Sequence, residues 1–413
     1  MAAWYPRRGT EEIPVLRLPV YMDNHATTAV DPRVLEAMLP YFTEHYGNSA
    51  SRNHVFGWRA EQAVDTARAQ VAQAIGAQPA EIVFTSGATE SDNLMLKGAA
   101  RQYREKGDGI VTLATEHKAV LDVVHVLEEE GFRVTIVPVR PDGLVDLDAL
   151  SKAIDERTTV VSVMWANNEI GTLQPMNEIG RLARAKGALF AVDAAQAVGK
   201  VKVDVDAAQV DLLAISGHKI YGPKGVGALY VRRKPKVRLV PLIDGGGHEK
   251  GMRSGTIDVP GVVGLGAACA LASAEMPGEA SRLLELRTLL HERIGTRLQG
   301  VHVNGTLEER LPGNLNLSFD GIEGEALLLA LRDVAVSSGS ACSSASIEPS
   351  HVIRALGVGP DRAHASIRFG IGRFNTEEEV RFVADQVVAT VTKLRELATA
   401  EGFVAPPALR REN

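Results

Sequence analysis

Apolar residues recur along this chain in two alternating rhythms. Short apolar runs bounded by glycine or polar residues occur at 82–85, 110–114, 134–137, 160–164, 188–192, 212–215 and 227–231. Runs of that length predict buried strands. Between most of them the spacing is helical. Ala60, Ala63, Val64, Ala67, Val71, Ala74 and Ile75 predict a helix over 59–75, and Ile179, Leu182, Ala183 and Ala185 predict one over 177–186. Strands alternating with helices imply an α/β fold, with a mostly parallel sheet covered on both faces. In such sheets ligands bind beyond the carboxyl ends of the strands. A shorter strand candidate, Val20 to Asn24, precedes this region.

After about residue 270 the texture changes. Leu283, Leu284, Leu286, Leu289, Leu290 and Ile294 predict a helix over 280–299. Strands are expected at 315–319 and 366–371, and an amphipathic helix near 377–397. The expected division is an extension over 1–19, a large domain over 20–270, a smaller α+β domain over 271–400 and a tail over 401–413. The first residues of the large domain are also free to pack on the small one.

Composition narrows the function classes. Among 413 residues, 45% are hydrophobic and 23% charged, as in ordinary globular proteins. A net charge of −6 argues against nucleic acid or anionic membranes as partners. The only cysteines are Cys269 and Cys342, too few for a disulfide scaffold or a four-cysteine zinc site, and no resident metal is expected. Two thiols in so long a chain suit a reducing compartment, the cytoplasm. The first 18 residues include Arg7, Arg8, Glu11 and Glu12 and do not read as a signal peptide. The longest mostly apolar run, Val262 to Ala274, is shorter than the roughly 20 residues a bilayer needs.

Candidate chemistry clusters just after the strands. Lys219 lies in Ser216-Gly217-His218-Lys219-Ile220-Tyr221-Gly222, past the 212–215 strand. A lysine displayed there can form a Schiff base with a carbonyl substrate or with pyridoxal phosphate (PLP), or can simply be solvated. Ser216 and His218 could serve the phosphate of a cofactor on that lysine. Ser86-Gly87-Ala88-Thr89-Glu90-Ser91 opens a helix after the 82–85 strand. It offers backbone N–H groups and hydroxyls to a phosphate, or is an ordinary capped helix. His117 could stack on a ring, shuttle protons or be structural. Asn168 could donate to a ligand oxygen or serve turn chemistry. Asp193 could pair with a pyridinium nitrogen or cap a helix, with Gln196 one helical turn on at the same ring's edge.

Two further candidates lie in the second region. Ser337 to Ser346 is a run of small residues around Cys342, expected to be mobile and so able to carry a thiol between a buried substrate and an outside acceptor, or else a linker with an unreactive cysteine. Cys269, in an Ala/Gly-rich apolar stretch, reads instead as core. Arg368 could hold a substrate carboxylate bidentately or form a surface ion pair.

With these residues assembled, the chain closely resembles the cysteine desulfurases of the NifS/IscS kind, PLP enzymes of fold type I. The resemblance runs from about Val20 to Leu397. It rests on Tyr21-Met22-Asp23-Asn24-His25-Ala26-Thr27-Thr28, Thr85 to Asn93, Thr115 to Val120, Asn167 to Gly171, Ser216 to Gly227, Gly245 to Glu249, Met252 to Thr256, Ser337 to Ser346 and Ile367 to Phe369. It implies that Lys219 carries PLP. Ala88, Thr89, Ser216 and His218 would hold the phosphate, with Thr256 supplied by the other subunit of a homodimer. His117 would stack on the ring, Asp193 pair with its nitrogen and Gln196 meet its 3′-oxygen. Asn168 and Arg368 would position the carboxylate of L-cysteine. Cys342 would take the sulfur as a persulfide, leave L-alanine, and pass the sulfur to an iron–sulfur scaffold or another sulfur-acceptor protein; a transient cluster ligand is a further role for its thiolate. Trp165, Ala166, Asn24 and His25 look more NifS-like than like the housekeeping form.

Overall fold

The computed structural model describes residues 16–338 and 349–400. In chain order it begins with a two-residue strand β1 (Val20–Tyr21), helices α1 (Pro32–Met38), α2 (Pro40–Thr43) and α3 (Val55–Ala74), and strand β2 (Ile82–Thr85). The α/β alternation follows: α4 (Ala88–Gln102), β3 (Gly109–Leu113), α5 (Lys118–Glu129), β4 (Arg133–Val137), α6 (Leu147–Ala153), β5 (Thr158–Ser162), α7 (Met176–Ala185), β6 (Leu189–Asp193), β7 (Leu212–Ser216) and β8 (Gly227–Val231). The second region contains α8 (Val259–Gly295), β9 (Val301–Val303), β10 (Asn314–Phe319), α9 (Gly324–Ala330), β11 (Val334–Ala335), α10 (His351–Ala355), α11 (Pro360–His364), β12 (Ser366–Gly370) and α12 (Glu377–Ala400).

Strands β2 to β8 form one seven-stranded sheet in the order β2-β8-β7-β6-β5-β3-β4. All neighbours are parallel except that β8 runs against both β2 and β7. Alternate residues of a strand face opposite sides, and in every strand of this sheet except the largely exposed edge strand β4 both sides are buried. Val111, Val161, Val192 and Leu213 join α3, α7 and the first half of α8 in one core. Ile110, Val160, Ala191 and Leu212 join α4 and α5 in another. Burial on both faces is why these strands read as unbroken apolar runs.

A three-stranded antiparallel sheet, β12-β10-β9, packs with α12 and the second half of α8 around a third core. Two expectations change here. The apolar run 262–274 and the helix expected over 280–299 are parts of one helix, α8, ending at Gly295. The expected domain boundary at 270 therefore falls inside a helix. Residues up to Leu271 pack in the first core and those from Leu283 in the third, with Pro277 between the two contact faces. Although 262–274 alone is too short to cross a bilayer, the continuous helix is long and apolar enough by composition; half of its apolar window is buried inside the protein. The strand at the amino end is also shorter than expected, stopping at Tyr21, and Val20 and Met22 belong to the third core.

Candidate active site

The carboxyl ends of β3, β6 and β7 lie at one edge of the sheet, and a strap of chain, residues 23–28, crosses that edge. Lys219 sits in a tight 3-10 turn, Gly217–Lys219, directly after β7. Its Nζ donates to the carbonyls of His25 and Ala26, each at 2.7 Å. His218 Nδ1 meets Thr27 Oγ1 at 3.0 Å, and Thr28 Oγ1 accepts the Tyr221 N–H at 2.9 Å. Burial, then the Lys219 charge, pushes the His218 imidazole down to about 4, so it is neutral near pH 7.

The small domain grips the other end of the strap. The Asn24 N–H donates to the Gly370 carbonyl at 3.1 Å, and the Gly370 N–H returns to Met22 at 2.7 Å. Arg368 is brought beside Asp23 by this pairing. Its Nη2 donates to Asp23 Oδ1 at 2.7 Å and its Nη1 to the Asn168 carbonyl at 2.9 Å, while its Nε is buried without a partner. The surface ion pair considered for Arg368 is thus a buried one, with the arginine only 2% exposed. An unsatisfied buried guanidinium N–H is costly and fits an anionic ligand.

Asp193 closes β6; the strand runs one residue further than its apolar run. Its Oδ1 accepts the Ala195 N–H at 2.8 Å, a local turn, and leaves Oδ2 for another donor. Gln196 lies in turns and not on a helix. Its Nε2 donates to the His25 carbonyl at 2.8 Å. His117 caps α5, its Nδ1 accepting the Ala119 N–H at 3.1 Å, which puts the proton of the neutral ring on Nε2.

Burial raises the Asp193 carboxyl, while the Ala195 N–H, His117 and Lys219 act against it. Two further buried acids, Asp92 on α4 and Glu116, are pushed well up by burial and by the Asp193 charge. Of the three carboxyls, Asp193 is the one with His117 and Lys219 near enough to favour its charged form, the form that suits a protonated ring nitrogen.

The candidate phosphate end of the site is at α4. Gly87 caps that helix without any side-chain hydrogen bond, so the amides of its first turn are open to an anion. A Cβ on Gly227 would lie 2.6 Å from the Gly87 Cα, so glycine is required where β8 passes the turn. Arg253 binds Glu90 at 2.9 Å and ties the 252–256 segment to this end; Thr256 is exposed there. Ala88, Thr89, Ser216 and His218, with Lys219 and Asp193, provide the donors and the carboxylate that PLP needs. The residues present fit it.

Cys342 lies outside the described residues. Its stretch is flanked by Ser337, which donates to Asp23 Oδ1 at 3.1 Å, and by His351, whose Nε2 meets the Glu116 carbonyl at 2.9 Å. Cys269 is buried and its thiol is pushed up to about 12 by burial, so it is inert near neutral pH. Sequence reasoning missed Asp23 and Lys200. Asp23 was detectable as a carboxylate ending an apolar strand; Lys200 was visible only as a lysine four residues beyond Gln196.

Residues 20–383 match the family described as aminotransferase class-V. A cysteine desulfurase IscS of Anaeromyxobacter sp. (strain Fw109-5) is 59% identical over 383 residues, covering 93% of this chain and 95% of that protein. A solved structure described as a NifS-like protein superposes with a TM-score of 0.85 at 40% identity, over 91% of this chain and all of the other. SspA in complex with cysteine superposes with a TM-score of 0.77 at 36% identity, over 86% of this chain and 100% of that one.

Proposed function

The chain belongs to the aminotransferase class-V family and is a PLP-dependent cysteine desulfurase, and from that premise we propose how its residues divide the work. Lys219 carries the cofactor. Ala88, Thr89, Ser216 and His218 hold its phosphate, Asp193 pairs with its ring nitrogen, and His117 and Gln196 fix the ring's face and edge. When bound, PLP supplies an electron sink for the substrate's α-carbon. Arg368 and Asn168 orient the L-cysteine carboxylate, with the unpartnered Nε of Arg368 as the free donor. Lys219 Nζ, which rests against the His25 and Ala26 carbonyls, takes the α-proton. The Cys342 thiolate attacks the substrate sulfur; the new S–S bond leaves a persulfide on Cys342 as the substrate C–S bond breaks and L-alanine departs.

The observation that carries this reading is the strap at 23–28, which joins the Lys219 turn to Arg368 across the two domains. Mass spectrometry after brief exposure to L-cysteine, with alanine quantified in the same tube, tests it. One added sulfur on Cys342, matched by alanine, is the expected result, and Cys342→Ser is expected to lose both. Alanine with unmodified Cys342 would make the enzyme a lyase that releases sulfur directly. Adding a thiol-bearing iron–sulfur scaffold should then strip the sulfur from Cys342.

We also infer a homodimer. Leu39, Phe42, Tyr46 and Trp58 are each more than half exposed on α1–α3, and the Tyr46 and Phe56 rings lie 5.4 Å apart. Clustered exposed aromatics mark an interface, and a second copy meeting the same patch closes it by two-fold symmetry. Sedimentation should give twice the chain mass, and Phe42→Glu with Trp58→Glu should return the monomer. A wild-type monomer at micromolar concentration would overturn the assignment.

A further inference from the structure

Lys200 is a second lysine at the site, and the division of labour above leaves it without a role. Its Nζ donates to Gln196 Oε1 at 2.6 Å. That bond fixes the amide orientation, so Gln196 Nε2 donates to the His25 carbonyl at 2.8 Å. The same carbonyl accepts from Lys219 Nζ at 2.7 Å. Lys200, Gln196, His25 and Lys219 therefore form one hydrogen-bonded series through a single shared oxygen. A cavity of about 20 Å³, lined in part by Lys200, His25, Tyr221 and Glu279, lies beside it and has room for one water.

We propose that Lys200 is a positioning residue for the reaction: through Gln196 and the His25 carbonyl it anchors the Lys219 amine, and it faces that amine with a second positive charge. The inference rests on Lys219 being the cofactor-bearing lysine. A neighbouring cation is an established way to keep a Schiff-base lysine from holding its proton too tightly. The part-exposed residue has its ammonium end enclosed; burial first, then the Lys219 and Arg368 charges, bring it down to about 7, with Glu279 opposing. Among the described residues, those facing Lys219 besides Lys200 include Asp193, which draws it toward the charged form, and His218 and His25, which burial keeps neutral. Near pH 7 Lys200 thus carries a substantial fraction of its charge, and more as the pH falls. Its opposition to protonation of the Lys219 nitrogen grows in the same direction.

The test is a pH titration of the visible absorption band of the holoenzyme. Lys200→Met removes the charge and keeps most of the stem, so the midpoint should rise by about one unit. Lys200→Arg keeps a charge and should leave the midpoint at or below that of the unaltered protein. Lys200→Gln serves as the neutral variant if the methionine protein does not fold. An unchanged or lowered midpoint in a folded neutral variant would overturn the proposal. Borohydride reduction of the unaltered holoenzyme separates the two readings: cofactor trapped on a lysine other than Lys219 would fail the underlying assignment, whatever the midpoints did.

Discussion

Lys219→Ala is expected to yield a folded protein with no cofactor covalently attached and cysteine turnover reduced by at least about three orders of magnitude. Two losses combine. The nitrogen that holds the cofactor is gone, and so is the base that accepts the α-proton, a role worth about 10²- to 10⁴-fold by itself. The fold should tolerate the change. Lys219 is partly exposed, and its loss leaves the His25 carbonyl with the Gln196 amide as donor. Intact-mass measurement after borohydride reduction and an alanine assay on the same preparation check both halves. Reducible cofactor found at another lysine, or turnover near the normal rate, would remove Lys219 from the centre of the site.

Asp193→Ala is the second large effect, with turnover falling by about two to three orders of magnitude, the scale for removing a preorganised electrostatic partner. Stability is subject to two opposing changes. The buried Ala195 N–H loses the acceptor it has at 2.8 Å, a cost of about 1–3 kcal/mol. Against that, an anion held in a site where burial disfavours its charge is removed. Asp193→Asn separates the two, since an asparagine oxygen can still accept the Ala195 N–H while carrying no charge. Its melting temperature should stay close to that of the unaltered protein while turnover falls with the alanine variant. Normal activity in the Asp193→Asn protein would show that the turn, and not the charge, is what Asp193 contributes.

Periodicity and chemistry made much of this protein legible before any coordinates. The strands of the main sheet other than the exposed edge strand β4 stand out because both their faces are buried, so each reads as a continuous apolar run with polar or small residues at its end. Those ends are where Asp193, Ser216 and His117 lie, because a parallel sheet collects the carboxyl ends of its strands at one edge. The antiparallel course of β8 was not legible, since a run such as 227–231 has the same pattern in either direction. Nor was the continuity of α8: its buried face changes cores near Pro277, and no single helical stripe spans it.

By itself, then, the sequence determined the α/β layering, the chemistry at the strand ends and a resemblance carried by long motifs. Tertiary structure alone decided which distant residues share an atom. Asp23 meets Arg368 across 345 positions of chain, and Lys219 and Gln196 meet on the His25 carbonyl across 194 and 171. Local patterns record what a segment buries. They carry no record of what it is buried against, because that depends on how the strap at 23–28 lies between two distinct cores.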